Sequence, residues 1–198
     1  MVTKAELTSQ YILEMVAPIF NKNGYAATSL SDVTKATGLT KGAIYGNFKN
    51  KEDLAIAAFK FNVKIMLNEI SKFISTSDSP LQKLFLITDF YRNYYDYSKQ
   101  LGGCPVLNIG VDANNQNSLL LEKVRQVIER IQDQVATIIE DGILANEITP
   151  EINAMQFAKR LDTMIQGAIF MTYTMDDDFY IKDTMNVIDT IINNELKL

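Results

Sequence analysis

Apolar residues recur at spacings of three and four along nearly the whole 198-residue chain. No segment shows the strict alternation of Val, Ile and Thr with polar residues that a half-buried strand requires. Nine glycines and four prolines leave few places for the chain to break. The expected class is all-α. Composition then excludes chemistry. There is no histidine, which removes imidazole metal ligands, Ser-His-Asp triads and Cys-His dyads. The one cysteine, Cys104, cannot form an internal disulfide and suits a reducing compartment. Glu6, Glu14 and Pro18 interrupt the start where a secretory signal would need an apolar run. No stretch approaches the ~20 apolar residues of a membrane span. The chain reads as soluble and cytoplasmic, with no membrane partner, no cofactor and no metal.

Charge is unevenly distributed over the net −5. Residues 1–72 carry nine lysines against six acidic residues, a balance of +3, and the remainder carries −8. A basic N-terminal third on an acidic body suggests that only the first part meets a polyanion.

Start and stop signals are dense in the first 75 residues. Thr3 with Glu6 forms a capping-box pattern that opens a helix ending at Gly24. Pro18 within it removes the hydrogen bond to Glu14 and predicts a local kink. Ser29 with Asp32 opens a short second helix that ends at Gly38. Thr40 caps a third, from Lys41 to about Asn47. Asn50 with Asp53 caps a fourth, reaching about Phe73. Ser79 before Pro80 starts a fifth, running to about Tyr97. Leu101–Gly110 reads as a short helix or turn. A long helix covers about Ser118–Leu144, Thr149-Pro150 opens another to about Thr174, and a last one spans about Asp178–Asn194.

Two short helices joined by Gly38-Leu39-Thr40 form a helix-turn-helix pattern. Val33, Ala36, Leu39, Ile44 and Phe48 have the spacing to pack inward, which turns Lys41, Gly42, Tyr45 and Asn47 outward. Gly42 and Ala43 would permit close approach to base edges. Thr40, Lys41, Tyr45 and Lys51 have the reach and chemistry for phosphates. The same spacing fits a plain helical hairpin with a solvated polar face, and geometry alone leaves both readings open.

The stretch Gly24-Tyr25-Ala26-Ala27-Thr28-Ser29-Leu30, with Asp32-Val33, Thr37-Gly38-Leu39-Thr40-Lys41-Gly42-Ala43-Ile44-Tyr45 and Phe48-Lys49-Asn50-Lys51-Glu52-Asp53-Leu54, resembles the TetR/AcrR family of transcriptional regulators over about residues 5–60. The resemblance implies a helical homodimer that binds double-stranded operator DNA. It implies residues 1–50 as a three-helix helix-turn-helix DNA-binding domain, helix four (51–73) as the connection, and 51–198 as the effector-binding and dimerisation domain. Carried over by position, Thr28 and Lys41 to Asn47 correspond to the DNA-facing set, including Gly42, Ala43, Tyr45 and Gly46. Tyr45 and Lys51 correspond to the family's phosphate contacts. Gly46 and Asn47 stand where many relatives carry a larger residue and histidine, so base preference is not carried over. Leu101-Gly102-Gly103-Cys104-Pro105-Val106-Leu107-Asn108 is similar to the Gly-Cys segment of one subset of the family.

In the body, Phe157, Leu161, Met164, Ala168, Met171 and Met175 follow heptad spacing beside a second face of Ala158, Ile165, Ile169 and Thr172. A helix apolar on two faces is either central in its own core or half-covered by a partner. With Ile181, Met185, Ile188 and Ile192 on the last helix, the expectation is a four-helix dimer interface through Leu161, Met164, Ala168 and Met171. By family analogy, Phe59, Met66, Phe90, Tyr91, Tyr94, Tyr95, Cys104 and Asn108 are expected around an effector pocket. The effector itself is unidentified, of apolar or aromatic character. Cys104 reads as a small buried residue, with a redox sensor as the sharper alternative. Asp176-Asp177-Asp178 reads as a solvated turn, since three consecutive carboxylates cannot face one ion. The reading is a ligand-released repressor on a pseudo-palindromic operator, not an enzyme. The alternative is a helical small-molecule-binding protein or redox sensor without operator-specific DNA binding.

Overall fold

The structure, a computed structural model, describes residues 3–114 and 116–198. Its helices, in order, are α1 (Lys4–Ala27), α2 (Leu30–Thr37), α3 (Lys41–Tyr45), α4 (Lys51–Ile74), α5 (Pro80–Arg92), α6 (Tyr94–Lys99), α7 (Pro105–Ala113), α8 (Ser118–Leu144), α9 (Ala154–Met175) and α10 (Phe179–Ile191), followed by a π-helical turn, Ile192–Leu196. No strand occurs among the described residues; Ile148 and Lys197 form one isolated bridge. The class is all-α.

The chain divides into two compact units. The first comprises the chain up to Met66 with Ser98–Gln126, and the second Leu67–Tyr97 with Val127–Leu198. The first unit therefore includes a segment from the middle of the chain. Polar contacts explain why. Asn21 Nδ2 donates to the carbonyls of Leu101 and Gly103, both at 2.7 Å. Asn108 Nδ2 donates to the carbonyls of Asn21 and Gly102 at 3.1 Å, and Asn117 donates to Glu52 at 3.0 Å. The first unit's core is Ile12, Val16, Phe20, Val33, Ile44 and Leu54, each at most 2% exposed.

The break in α1 falls at Gly24, at φ 81° and ψ 171°, while the dihedrals around Pro18 remain helical. These are angles that a residue with a Cβ avoids. A Cβ at Gly24 would also collide with the Asp112 carboxylate, which accepts the Tyr25 N–H at 2.6 Å. The backbone leaves helical angles at Gly24, six residues after Pro18. Both capping boxes form: Thr3 with Glu6, and Ser29 with Asp32. Gly38 closes α2 in the left-handed region at φ 67°.

Two boundaries of the second unit differ from the sequence expectation. The helix expected over Ser79–Tyr97 splits at Asn93 (φ −105°, ψ 5°), where no glycine or proline signals a stop. Thr149-Pro150 does not open α9. The Thr149 N–H donates to the Leu196 carbonyl at 2.8 Å, which ties that segment to the end of the chain. Asn153 caps α9 instead, accepting the Gln156 N–H at 2.9 Å. Within this unit α10 packs against α5 and α9. Arg92 of α5 pairs with Asp89 and with Asp189 of α10, and Thr88 donates to Asp189 at 2.6 Å.

Candidate nucleic-acid interface and a cavity in the second unit

Helix α3 exists because Thr40 leaves the helix at φ −72°, ψ 156° and accepts the Ala43 N–H on its hydroxyl at 3.2 Å. Five residues are too few for a stable isolated helix, so the burial of Ile44 on the first unit's core holds α3 in place. With Ile44 and Phe48 inward, Thr40, Lys41, Gly42 and Gly46 are exposed, and Ala43 and Tyr45 are half-buried. An added Cβ at Gly42 would meet only the Thr40 hydroxyl, at 4.0 Å. The fold therefore leaves room for a side chain there. Lys41 Nζ stands 5.9 Å from the Tyr45 ring centroid. Lys51, the first residue of α4, is placed by Tyr25: its Nζ lies 4.6 Å from that ring's centroid and 3.4 Å from the Ala26 carbonyl. These residues make a face with two ammonium groups, a phenol and a glycine gap, suited to phosphates at its rim and close approach at its centre.

Two expected members stand apart. Thr28 is fully buried and donates its hydroxyl to the Gly24 carbonyl at 2.7 Å. It braces the broken end of α1 instead of facing out. Asn47 is half-buried with its amide already engaged. Nδ2 donates to the Ala43 carbonyl at 2.8 Å, and Oδ1 accepts from the Ser9 hydroxyl at 3.0 Å. It ties α3 to α1.

The residues expected around an effector are divided between the two units. Phe59, Met66, Cys104 and Asn108 belong to the first unit, where Phe59, Met66 and Cys104 are core and Asn108 clips the Gly102–Gly103 turn to α1. Phe90, Tyr91 and Tyr94 stack on one another in the second unit, with centroids 5.1–5.9 Å apart. Tyr95 packs on Tyr173 and donates to Asp176, a bond that pushes its phenol up to about 12. Of the eight, Tyr91 alone lines the second unit's apolar cavity. That cavity lies among α4, α5, α8 and α9, walled by Leu67, Ile70, Ile131 and Val135, with Asp162 as its charged residue. It holds about 540 Å³ of atom-free space, its mouth included. Sequence reasoning missed Asp162. The available signal was a carboxylate on the otherwise apolar face formed by Ala158, Ile165 and Ile169.

The residues expected at a dimer interface also need correction. Leu161, Ala168, Ile181, Met185, Ile188 and Ile192 are all at most 5% exposed within this one chain. They seat α9 and α10 in the unit's own core. The outward face of these helices is a different one, carrying Gly167, Phe170 (50% exposed) and Val187 (44% exposed). Of the expected set, Met164 and Met171 remain half-exposed. Among the described residues no group of three acidic or thiol ligands converges for a metal. No described helix is long and apolar enough to cross a membrane.

Comparison with known proteins places these features. Residues 12–58 match the model for bacterial regulatory proteins of the tetR family, and residues 80–188 match the tetracyclin repressor-like C-terminal domain. A TetR-family transcriptional regulator from Cytophaga hutchinsonii superposes with a TM-score of 0.94 at 31% identity, over 100% of this chain and 98% of that one. A TetR transcriptional regulator from Chloroflexus aurantiacus superposes at 0.92 with 30% identity, over 98% of both chains. The uncharacterized HTH-type transcriptional regulator YxaF of Bacillus subtilis is 28% identical over 167 residues, covering 84% of this chain and 85% of the relative.

Proposed function

The chain belongs to the TetR family of bacterial regulatory proteins, a DNA-binding transcriptional regulator by family, and from that premise we propose a cytoplasmic homodimeric repressor, without catalytic activity, that a small molecule releases from a two-fold symmetric operator. The face of α3 carries this reading. Lys41, Tyr45 and Lys51 act as phosphate contacts around Gly42, which lets the recognition helix sit close to base edges. Thr40 holds the first turn of α3, and Asn47 sets its angle to α1. The second copy covers the outward face of α9 and α10 at Gly167, Phe170 and Val187. Isologous pairing of that face gives two recognition helices for two half-sites.

The cavity in the second unit is the effector site of this reading. Helix α4 carries Lys51 at one end and Leu67 and Ile70 at the other. A ligand that favours a different packing of the cavity wall therefore acts on the helix that bears a phosphate contact. A hundredfold loss of operator affinity requires a preference of about 2.7 kcal/mol for that packing, and operator must weaken ligand binding by the same factor.

The test is selection of binding sites from a random pool of duplex DNA, followed by titration across salt concentrations. The expected sites are two-fold symmetric, with half-sites about one helical turn, ~34 Å, apart. The Lys41→Ala/Lys51→Ala protein should bind every sequence more weakly and flatten the salt slope by about two units, one per lost phosphate contact. Unchanged affinity and slope in the double variant overturn the mapping.

A further inference from the structure

We infer that the second unit's cavity takes an apolar molecule carrying one cationic nitrogen, with Asp162 as its counter-ion; this deepens the effector-site reading above and rests on it. The walls argue for an apolar body: Leu67, Ile70, Ile131 and Val135 are typical of the lining, with Tyr91 and Gln134 as its neutral polar groups and Asp162 as its charged one. Asp162 settles the rest. It is 7% exposed, and a carboxylate so placed is costly unless opposite charge and hydrogen bonds compensate it. Its two protein partners are both neutral amides. Gln132 Nε2 donates to Oδ2 at 2.8 Å, and Gln166 Nε2 donates to Oδ1 at 3.3 Å. A carboxylate has about four acceptor positions, so acceptor capacity remains.

Among the described residues no lysine or arginine pairs with Asp162. Elsewhere in the same unit the carboxylates of Asp89, Asp178, Asp189 and Glu195 each hold a cation. One protonated amine in the cavity supplies what Asp162 lacks, a positive charge and N–H donors for its free acceptor positions. A neutral alcohol supplies only the donor, and an anion opposes the carboxylate. The atom-free space, about 540 Å³ with its mouth included, suits a body of modest size.

The test uses the intact chain without DNA and three eight-carbon probes: octylammonium, 1-octanol and octanoate. Isothermal titration calorimetry on the wild type should rank octylammonium about tenfold or more above 1-octanol, with octanoate weakest. Asp162→Asn keeps the size and one acceptor oxygen, and should bring octylammonium down to the level of 1-octanol while leaving 1-octanol unchanged. Equal or tighter binding of 1-octanol or octanoate by the wild type overturns the inference and needs no variant. So does no binding by any probe, or an undiminished octylammonium preference in a folded Asp162→Asn protein. Octylammonium that binds through Asp162 without weakening operator binding would support the counter-ion role and refute the effector reading alone.

Discussion

The α2–α3 region of the first unit and the α9–α10 region of the second are built from the same kind of apolar spacing, yet they differ in what fixes them. Around α2 and α3 every boundary is set by a contact spanning at most four positions: Ser29 with Asp32, Gly38 with Thr34, Thr40 with Ala43, Gly46 with Gly42. The helices are short, so one apolar side chain per turn leaves little choice of inward face. Helices α9 and α10 are longer and apolar on more than one side. Their inner and outer faces are chosen by each other and by α5, through contacts distant in sequence such as Arg92 and Thr88 with Asp189. Local chemistry determines the reading head, and non-local packing determines the body.

The comparison is tested most strongly at two neighbouring positions on α9. Ala168 is 5% exposed and Phe170 is 50% exposed. Ala168→Glu should place an uncompensated charge in the core, costing about 3–5 kcal/mol and lowering the melting temperature by roughly 10 °C or more. Phe170→Glu should leave the monomer helical and folded but shift sedimentation from dimer to monomer. A well-folded Ala168→Glu protein that merely dissociates would reverse the assignment of faces.

A smaller effect is expected where the first unit departs from purely local control. Gly24→Ala imposes a Cβ at φ 81° and displaces the Asp112 carboxylate from the Tyr25 N–H. The strain should cost about 1–3 kcal/mol, read as an earlier urea midpoint. An unchanged midpoint would mean that the α1 break is not held by α7.

The smallest effect belongs to the capping boxes. The Thr3 N–H and hydroxyl hold the Glu6 carboxyl below its ordinary range, and the Ser29 hydroxyl and N–H do the same for Asp32. A depressed carboxylate adds stability above its unfolded pKa, near 4, and that stability is lost as pH falls through the lower folded value. Ser29→Ala should therefore be slightly less stable than wild type at neutral pH, and the difference should narrow below the folded value to what the pH-independent bond from the Asp32 N–H to the Ser29 hydroxyl contributes. Denaturant melts at several pH values check this. A difference that grows on acidification contradicts the sign.

The class, most helix boundaries and the exposed face of α3 were legible because caps, glycine stops and one-sided apolar spacing act within a few residues. Thr28 was not legible. Its short polar side chain suits either a phosphate or a backbone carbonyl, and only the broken end of α1 at Gly24 supplies the carbonyl that takes it. The split at Asn93 and the cap at Asn153 were hidden for a related reason: what ends or starts a helix there is what the flanking segments pack against. The residues lining the second unit's cavity were decided last. Tyrosines such as Tyr94 and Tyr95 have chemistry equally suited to a pocket or to a core. Stacking on Phe90 and Tyr91 made Tyr94 core, and Tyr95 went instead to Tyr173 and Asp176 nearer the surface, while one carboxylate on an apolar helix face, Asp162, ended at the cavity. Sequence by itself determined the elements whose stabilising contacts are near in the chain. Tertiary structure decided which face of each long helix is inside, because burial is a property of what lies opposite and no residue carries that information alone.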